Sequence, residues 1–283
     1  VNRKQAMSLA RERLVAGDID DASLEAEILL RHVLGVDRAR LYTEPEAELD
    51  ITQESDFTRL IERRLAGEPS AYITGHREFY GLDFQVNHNV LIPRPESELL
   101  VEKAIGLGNS RRIKTIADIG TGCGAIAVSL AVNIPGVKIY ATDISPAALE
   151  VAAGNCRKHG VIDRITFLRG DLLQPLPGPV DMIIANLPYV TKEDMPETGP
   201  VSFEPRLALN GGAGGLEKLQ LLYSQVNEKL SPGGCVLTEI GRGQLKSITS
   251  LLTRLFPFSR IEVICDLAGI ERVVGLCLTQ DGR

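Results

Sequence analysis

The sequence contains no apolar run approaching the roughly 18–20 residues of a membrane-spanning helix, so no transmembrane segment is expected. Its first residues, Val1 to Leu14, carry Arg3, Lys4, Arg11 and Arg13 but lack the apolar stretch of a secretory leader. The expectation is a cytoplasmic protein. There is no Cys-x-x-Cys pair. The five cysteines, Cys123, Cys156, Cys235, Cys265 and Cys277, are scattered, and the four histidines are not clustered. This pattern argues against a zinc site and a disulfide framework and for buried free thiols in a reducing compartment. A basic excess is also missing. The net charge is −6, whereas a protein that grips a long stretch of nucleic acid usually carries surplus lysine and arginine. The balance tilts toward a small-molecule or protein substrate. Internal repeats and low-complexity tracts are absent as well.

What is present reads as an ordinary soluble composition: 283 residues, 44% hydrophobic and 24% charged. That length accommodates one large domain or two smaller ones. Residues 1–75 predict helices. Asp21 or Ser23 can cap a helix with Leu24, Ile28, Leu29 and Val33 on its apolar positions and Gly35 as its stop. Thr52 or Ser55 can cap another, with Phe57, Leu60, Ile61 and Leu65 inside, Arg59, Glu62, Arg63 and Arg64 outside, and Gly67 as its stop. The period then changes. Leu82, Phe84 and Val86 alternate with polar residues, and Asn87-His88-Asn89 supplies a turn before Val90-Leu91-Ile92. This predicts a β-hairpin and makes 76–95 a connector. Pro93-Arg94-Pro95 interrupts the chain before a helix from Glu96 to about Leu107.

From residue 113 strands and helices alternate. Strands are expected over 113–119, 137–142, 165–168, 180–185, 234–240, 261–265 and 272–278, with helices over 124–133, 146–159, 215–230 and 243–255. The pattern predicts an α/β fold with a doubly wound, seven-stranded sheet. The final connection, Asp266 to Glu271, is too short for a parallel crossover, so the sheet should be mostly parallel with its last strand antiparallel. The expected division is a helical substrate-recognition domain over 1–75, the connector over 76–95 and a ligand-binding domain over 96–283.

The chemistry concentrates at the strand ends. Asp118-Ile119-Gly120-Thr121-Gly122-Cys123-Gly124 closes the first strand of the sheet and opens a helix. Alternate glycines let a ligand approach the backbone, at the carboxyl edge where open α/β sheets bind ligands. The spacing is neither that of the dinucleotide fingerprint nor that of a P-loop. Asp143 ends the next strand, where a carboxylate can accept both hydroxyls of a ribose. Asp171-Leu172 closes the third, and Asp171 can either accept from an adenine amino group or cap a turn. Asn186-Leu187-Pro188-Tyr189 follows the fourth. Asn186 Oδ1 and the Leu187 carbonyl can each accept one N–H of a planar amino group, and the Tyr189 ring can cover its face. Pro188 holds Leu187 extended. Read as chemistry, this is a site that holds a planar NH2 group beside a ribose-bearing ligand.

The glycine loop, two acidic strand ends and Asn-x-Pro-Tyr resemble the class I S-adenosylmethionine-dependent methyltransferases. The resemblance implies that the loop faces the methionine part of the cofactor and that S-adenosylhomocysteine is the product. A narrower likeness rests on further blocks in this order: Gly67-Glu68-Pro69-Ser70-Ala71-Tyr72-Ile73-Thr74-Gly75, Phe79-Tyr80-Gly81-Leu82, Val90-Leu91-Ile92-Pro93-Arg94-Pro95-Glu96-Ser97-Glu98, Phe203-Glu204-Pro205, Glu239-Ile240-Gly241 with Gln244, and Asp266-Leu267-Ala268-Gly269 with Arg272. Together these resemble the HemK/PrmC family of release-factor glutamine methyltransferases. Leu187 stands where that family usually carries a first proline, and Ser97 where it usually carries threonine.

The resemblance implies that the substrate is the glutamine of the Gly-Gly-Gln motif in class 1 peptide chain release factors. It implies catalytic roles for Asn186, Leu187, Pro188 and Tyr189, and cofactor contacts from Asp118, Gly120, Thr121, Gly122, Cys123, Gly124, Asp143, Asp171, Leu172 and Asn186. No metal and no direct nucleic-acid binding are expected. An exocyclic amino nitrogen of DNA or RNA would suit Asn186 and Tyr189 equally well as acceptor. A non-catalytic module retaining the cofactor is the remaining alternative. Phe79, Arg94 and Glu96 either line the mouth of the cleft or serve as core and ion pair, and the Pro- and Gly-rich segment 190–214, with Phe203-Glu204-Pro205, reads as a flap.

Overall fold

In a computed structural model, which describes residues 1–279, the chain divides into two compact units. One comprises Val1–His76 with Pro196–Phe203. The other comprises Arg77–Met195 and the chain from Glu204 onward. The last four residues of the expected third domain, 280–283, lie outside the described residues.

The N-terminal unit holds five helices: α1 (Arg3–Ala16), α2 (Ala22–Leu34), α3 (Arg38–Thr43), α4 (Ile51–Leu65) and α5 (Ser70–Thr74). Leu14, Leu29, Leu30, Phe57, Leu60 and Ile61 form its apolar centre. Leu24 faces outward, because the buried stripe of α2 runs through Ala22, Ala26 and Leu29. Asp21 stands at the start of α2, but in a left-handed conformation with no side-chain cap. For α4 the cap is Asp50, not Thr52 or Ser55: its carboxylate takes the Gln53 N–H while the Gln53 side chain returns to Asp50. This reciprocal pair satisfies two orphan donors at once. Arg64 was expected outside and is buried, its guanidinium paired with Glu25 at 2.9 Å. A buried cation needs such a partner.

Apart from its first residue, His76, the second unit holds a two-stranded sheet, β1 (His76–Phe79) and β2 (Leu82–Gln85). The hairpin thus lies one strand earlier than the alternation implied. Its turn is Tyr80-Gly81, both at positive φ, as short hairpin turns require. Val90-Leu91-Ile92 forms no strand. A 3-10 turn at Pro95–Ser97 leads into α6 (Glu98–Ser110).

The large sheet follows: β3 (Thr115–Ile119), α7 (Ala125–Asn133), β4 (Lys138–Asp143), α8 (Pro146–Lys158), β5 (Ile165–Arg169), β6 (Val180–Ala185), the short α9 (Arg206–Leu209), α10 (Glu217–Lys229), β7 (Leu230–Glu239), α11 (Leu245–Leu255), β8 (Arg260–Cys265) and β9 (Glu271–Cys277). The order is β5-β4-β3-β6-β7-β9-β8. β9 runs antiparallel to both β7 and β8, and the other pairings are parallel. Chain progression moves outward from β3 to β5, then jumps back to β6 beside β3. The carboxyl ends of β3 and β6 therefore flank the topological switch point, where such sheets leave a crevice. Apolar runs such as Met182-Ile183-Ile184-Ala185 are fully buried because helices cover both faces.

Cysteine usage departs from the expectation of free buried thiols at three positions. Cys235 and Cys277 are register partners on β7 and β9 and are joined by a disulfide. Side chains directly opposite in an antiparallel pair approach closely enough to bond. Cys265 is free but exposed, whereas Cys123 and Cys156 are free and buried. Among the described residues no helix is long and apolar enough to cross a membrane, and no group of three or more His, Cys, Asp or Glu side chains is placed to hold a metal ion.

Candidate functional site

A largely apolar cavity opens at the switch point. Ile119, Gly120 and Gly122 enter it from the end of β3, Asp143 and Ile144 from the end of β4, Gly170, Asp171 and Leu172 from the end of β5, and Asn186, Leu187 and Pro188 from the end of β6. The segment 89–91 and Pro205, Leu207 and Ala208 close it from the other side.

The glycine loop owes its shape to backbone bonds. The N–H groups of Gly120 and Thr121 both donate to the Thr142 carbonyl at 2.9 Å. Gly120 and Gly122 both have positive φ, at 70° and 56°, which a side chain would make unfavourable. A Cβ on Gly120 would also stand 3.2 Å from Leu187 Cδ2. Asp143 anchors the loop from β4. One carboxylate oxygen accepts from Gly122 N–H at 3.0 Å, the other from Ser145 N–H at 2.9 Å. Each oxygen keeps a further lone pair for a ligand hydroxyl.

Asp118, Thr121, Cys123 and Gly124 do not line the cavity. Asp118 is buried beneath the loop, where Oδ2 accepts from the Thr121 hydroxyl at 2.6 Å and from Ala127 N–H at 3.2 Å. Burial pushes its carboxyl up to about 6, against the pull of those two bonds. Cys123 is buried, and its thiol is likewise pushed up to about 12. Such a thiol is inert. The carbonyl of Cys123 instead accepts from Asn155 Nδ2 at 2.8 Å. Asn155, on α8, was missed by sequence reasoning, since an isolated asparagine in a helix carries no local signal.

Asp171 and Leu172 both reach the cavity. Leu172 holds a φ of 50°, a conformation that costs a non-glycine residue about 1–2 kcal/mol. Its carbonyl accepts from the Thr142 hydroxyl at 3.1 Å. That bond and the burial of its side chain hold the strained turn in place. The Asp171 carbonyl accepts from Gln174 N–H, so this residue also starts a turn.

Asn186 sits at the cavity wall, and its Nδ2 donates to Ser97 Oγ at 2.8 Å. Ser97 in turn donates to Glu239 Oε2 at 2.5 Å. Tyr189 does not line the cavity. Its hydroxyl lies 3.4 Å from Glu239 Oε1, and its ring crowds Gly241. Burial, with Glu239 adding to it, pushes that hydroxyl up to about 12, so it stays a donor. Glu239 is buried, which pushes its carboxyl up to about 7; Ser97, Arg272 and Tyr189 pull the other way, and Glu96 adds to the rise. Leu187 contributes more than a backbone carbonyl, because its side chain is buried in the core beside Gly120.

The connector residues resolve differently from expectation. Phe79 is core, packed edge-on against Phe84. Arg94 pairs with Glu204 rather than with Glu96, and Glu204 also accepts from Ile92 N–H at 3.1 Å. Glu96 lies 3.5 Å from Arg272 instead. The expected flap is divided. Pro196–Phe203 groups with the N-terminal unit, while Pro205, Leu207 and Ala208 cover the cavity. Gln244 secures the following stretch, with Nε2 donating to the carbonyls of Tyr189 and Gly215 at 3.3 and 3.2 Å.

Residues 5–75 match the PrmC N-terminal domain, and residues 96–198 match the methyltransferase small domain. A release factor glutamine methyltransferase of Moorella thermoacetica is 43% identical over 271 residues, covering 95% of this chain and 96% of that protein. One of Koribacter versatilis is 41% identical over 275 residues, covering 96% of each. Among solved structures, a methyltransferase from Pyrococcus furiosus aligns with a TM-score of 0.53 at 18% identity, over 78% of this chain and 99% of that one. At that identity the likeness is one of fold.

Proposed function

The chain belongs to the release factor glutamine methyltransferase family, and on that premise we propose that it transfers a methyl group from S-adenosylmethionine to the side-chain amide nitrogen of the glutamine in the Gly-Gly-Gln motif of class 1 release factors. The observation that carries the reading is the juxtaposition at the switch point. Asn186 and Leu187 stand at the same cavity as Asp143 and the glycine loop.

The residues present fit the cofactor. Gly120 and Gly122 leave the loop backbone bare at two positions of positive φ, and a Cβ on Gly120 would also crowd Leu187. Asp143 is already oriented by two N–H groups and has acceptor capacity left for a ribose diol. Ile119, Ile144 and Leu172 supply apolar wall for a flat base, with Asp171 at its edge. When bound, S-adenosylmethionine supplies an electrophilic methyl on a sulfonium.

What the chain must supply is position, because an amide nitrogen is a weak nucleophile whose lone pair is delocalised. Asn186 Oδ1 and the Leu187 carbonyl each accept one N–H of the substrate amide. As positive charge grows on that nitrogen, both acceptors bind it more strongly, which is differential stabilisation of the transition state. Orientation supplies several kcal/mol more. No strong general base is demanded, since the proton can leave after transfer. Tyr189, whose hydroxyl faces Glu239, stands behind the cavity wall that Asn186, Leu187 and Pro188 form.

The test offers purified release factor, duplex DNA and ribosomal RNA as competing acceptors with radiolabelled S-adenosylmethionine. Label is expected on the release factor alone, with only a shallow dependence on salt. Efficient labelling of free nucleic acid with a steep salt slope, the mark of counterion release, would overturn the reading.

A further inference from the structure

An asparagine amide can stand either way round, and only one way presents an oxygen to an incoming N–H. Two hydrogen bonds decide between them here. A carboxylate only accepts and a serine hydroxyl has one hydrogen to give. Ser97 spends that hydrogen on Glu239 Oε2 at 2.5 Å. Toward Asn186 it is left only lone pairs, and at 2.8 Å it takes the N–H of Nδ2. The amide NH2 is thereby tied to Ser97, and Oδ1 is the atom left for a ligand. The chain of bonds has one direction, and Glu239 sets it.

We propose that Ser97 and Glu239 are positioning residues that fix the amide of Asn186 with its oxygen toward the acceptor nitrogen. This rests on the reading of Asn186 as an acceptor given above. Neither residue lines the cavity, and each acts through Asn186. Both are buried, so the bond between them is screened from solvent. The charged and titratable groups around Glu239 are Glu96, Arg272 and Tyr189, with Ser97 in direct contact. Burial, with Ser97, Arg272 and Tyr189 pulling the other way and Glu96 adding to the rise, leaves its carboxyl titrating at about 7. Once protonated, Glu239 can donate to Ser97, which frees the serine hydrogen to meet Asn186 Oδ1 and removes the directional constraint.

The experiment is single-turnover methyl transfer to purified release factor, with cofactor affinity by calorimetry, for wild type, Ser97→Ala, Ser97→Thr and Glu239→Gln. Losing one buried, directional hydrogen bond lowers the rate about tenfold or more. Ser97→Ala and Glu239→Gln should show that loss, with cofactor affinity and KM for the release factor within about twofold of wild type. Ser97→Thr, which keeps the hydroxyl, should restore the rate. The wild-type rate should fall as pH drops through about 7, and that limb should be flat in Glu239→Gln. If Ser97→Ala loses its fold, Ser97→Cys, of similar size but a weak donor and acceptor, takes its place. A full rate in Ser97→Ala or Ser97→Cys overturns the positioning role alone. A wild type that labels no release factor overturns the functional reading, and the positioning role with it.

Discussion

Asn155 donates a side-chain N–H to the carbonyl of Cys123 at 2.8 Å. The same amide donates to the Gln85 carbonyl and accepts from the Gln85 N–H. One buried residue of α8 thus joins the glycine loop to the β1–β2 hairpin. In Asn155→Leu three hydrogen bonds disappear and the Cys123 carbonyl is left buried without its partner, a loss of about 2–4 kcal/mol. Urea unfolding should show a lower midpoint, and calorimetry below the unfolding range should show weaker cofactor binding. An unchanged midpoint would remove Asn155 from this role.

Asp143→Ala should weaken S-adenosylmethionine binding while the fold survives. Two charge-assisted bonds to the ribose are lost, each worth roughly 1.5–3 kcal/mol. The loop loses its tie at Gly122 as well. Asp143→Asn, which retains one acceptor oxygen, should fall between the two. Calorimetry giving wild-type affinity for Asp143→Ala would place the ribose elsewhere.

Asn186→Ala should nearly abolish transfer and leave cofactor binding largely intact, since alanine lacks the accepting oxygen. Leu187→Pro keeps the carbonyl and fixes φ near −65°, so transfer should persist. Its stability should fall by about 1–2 kcal/mol, because the leucine side chain packs in the core beside Gly120. Single-turnover rates and denaturant midpoints separate the two effects. An active Asn186→Ala enzyme would sink the amide clamp.

The strand ends were legible because they combine a short apolar run with abrupt punctuation. Val180–Ala185 has the bounds expected of it, and Asn186 follows directly. Asp143 and Gly122 were legible for the same reason. The hairpin was displaced because Asn87-His88-Asn89 is a stronger local turn signal than Tyr80-Gly81, whose tyrosine adopts a positive φ that its side chain disfavours. Ser97, Asn155, Glu204 and Glu239 were named in sequence blocks or passed over, without a role. Their partners lie 32 to 142 residues away, and no periodicity encodes a side-chain hydrogen bond at that separation. The inward turn of Asp118 was hidden too, since a carboxylate at a strand end can face ligand or core.

The buried Asp118 carboxyl makes stability depend on pH. Its pKa rises on folding from 3.8 to about 6. The folded state therefore holds this proton more tightly, so the contribution to folding is fully present below 3.8 and is lost as pH climbs through about 6. Relative to Asp118→Asn, wild type should lose on the order of 3 kcal/mol between pH 4 and pH 6–7, then stay constant. Paired urea titrations across that window check this. A difference independent of pH would mean that Asp118 is not desolvated as described.

The span from Ser97 to Glu239 is 142 residues, and that from Ile92 to Glu204 is 112. Translation reaches Asn186 well before it reaches Glu239, the residue that sets the direction of its amide. During synthesis the nascent chain can lay down β3, β4, β5 and β6 and still lack the group that orients the acceptor. Long-range closure of this kind is paid late in folding. A nascent chain that ends before Glu239 therefore lacks the bond that ties Ser97 and, through it, the amide of Asn186.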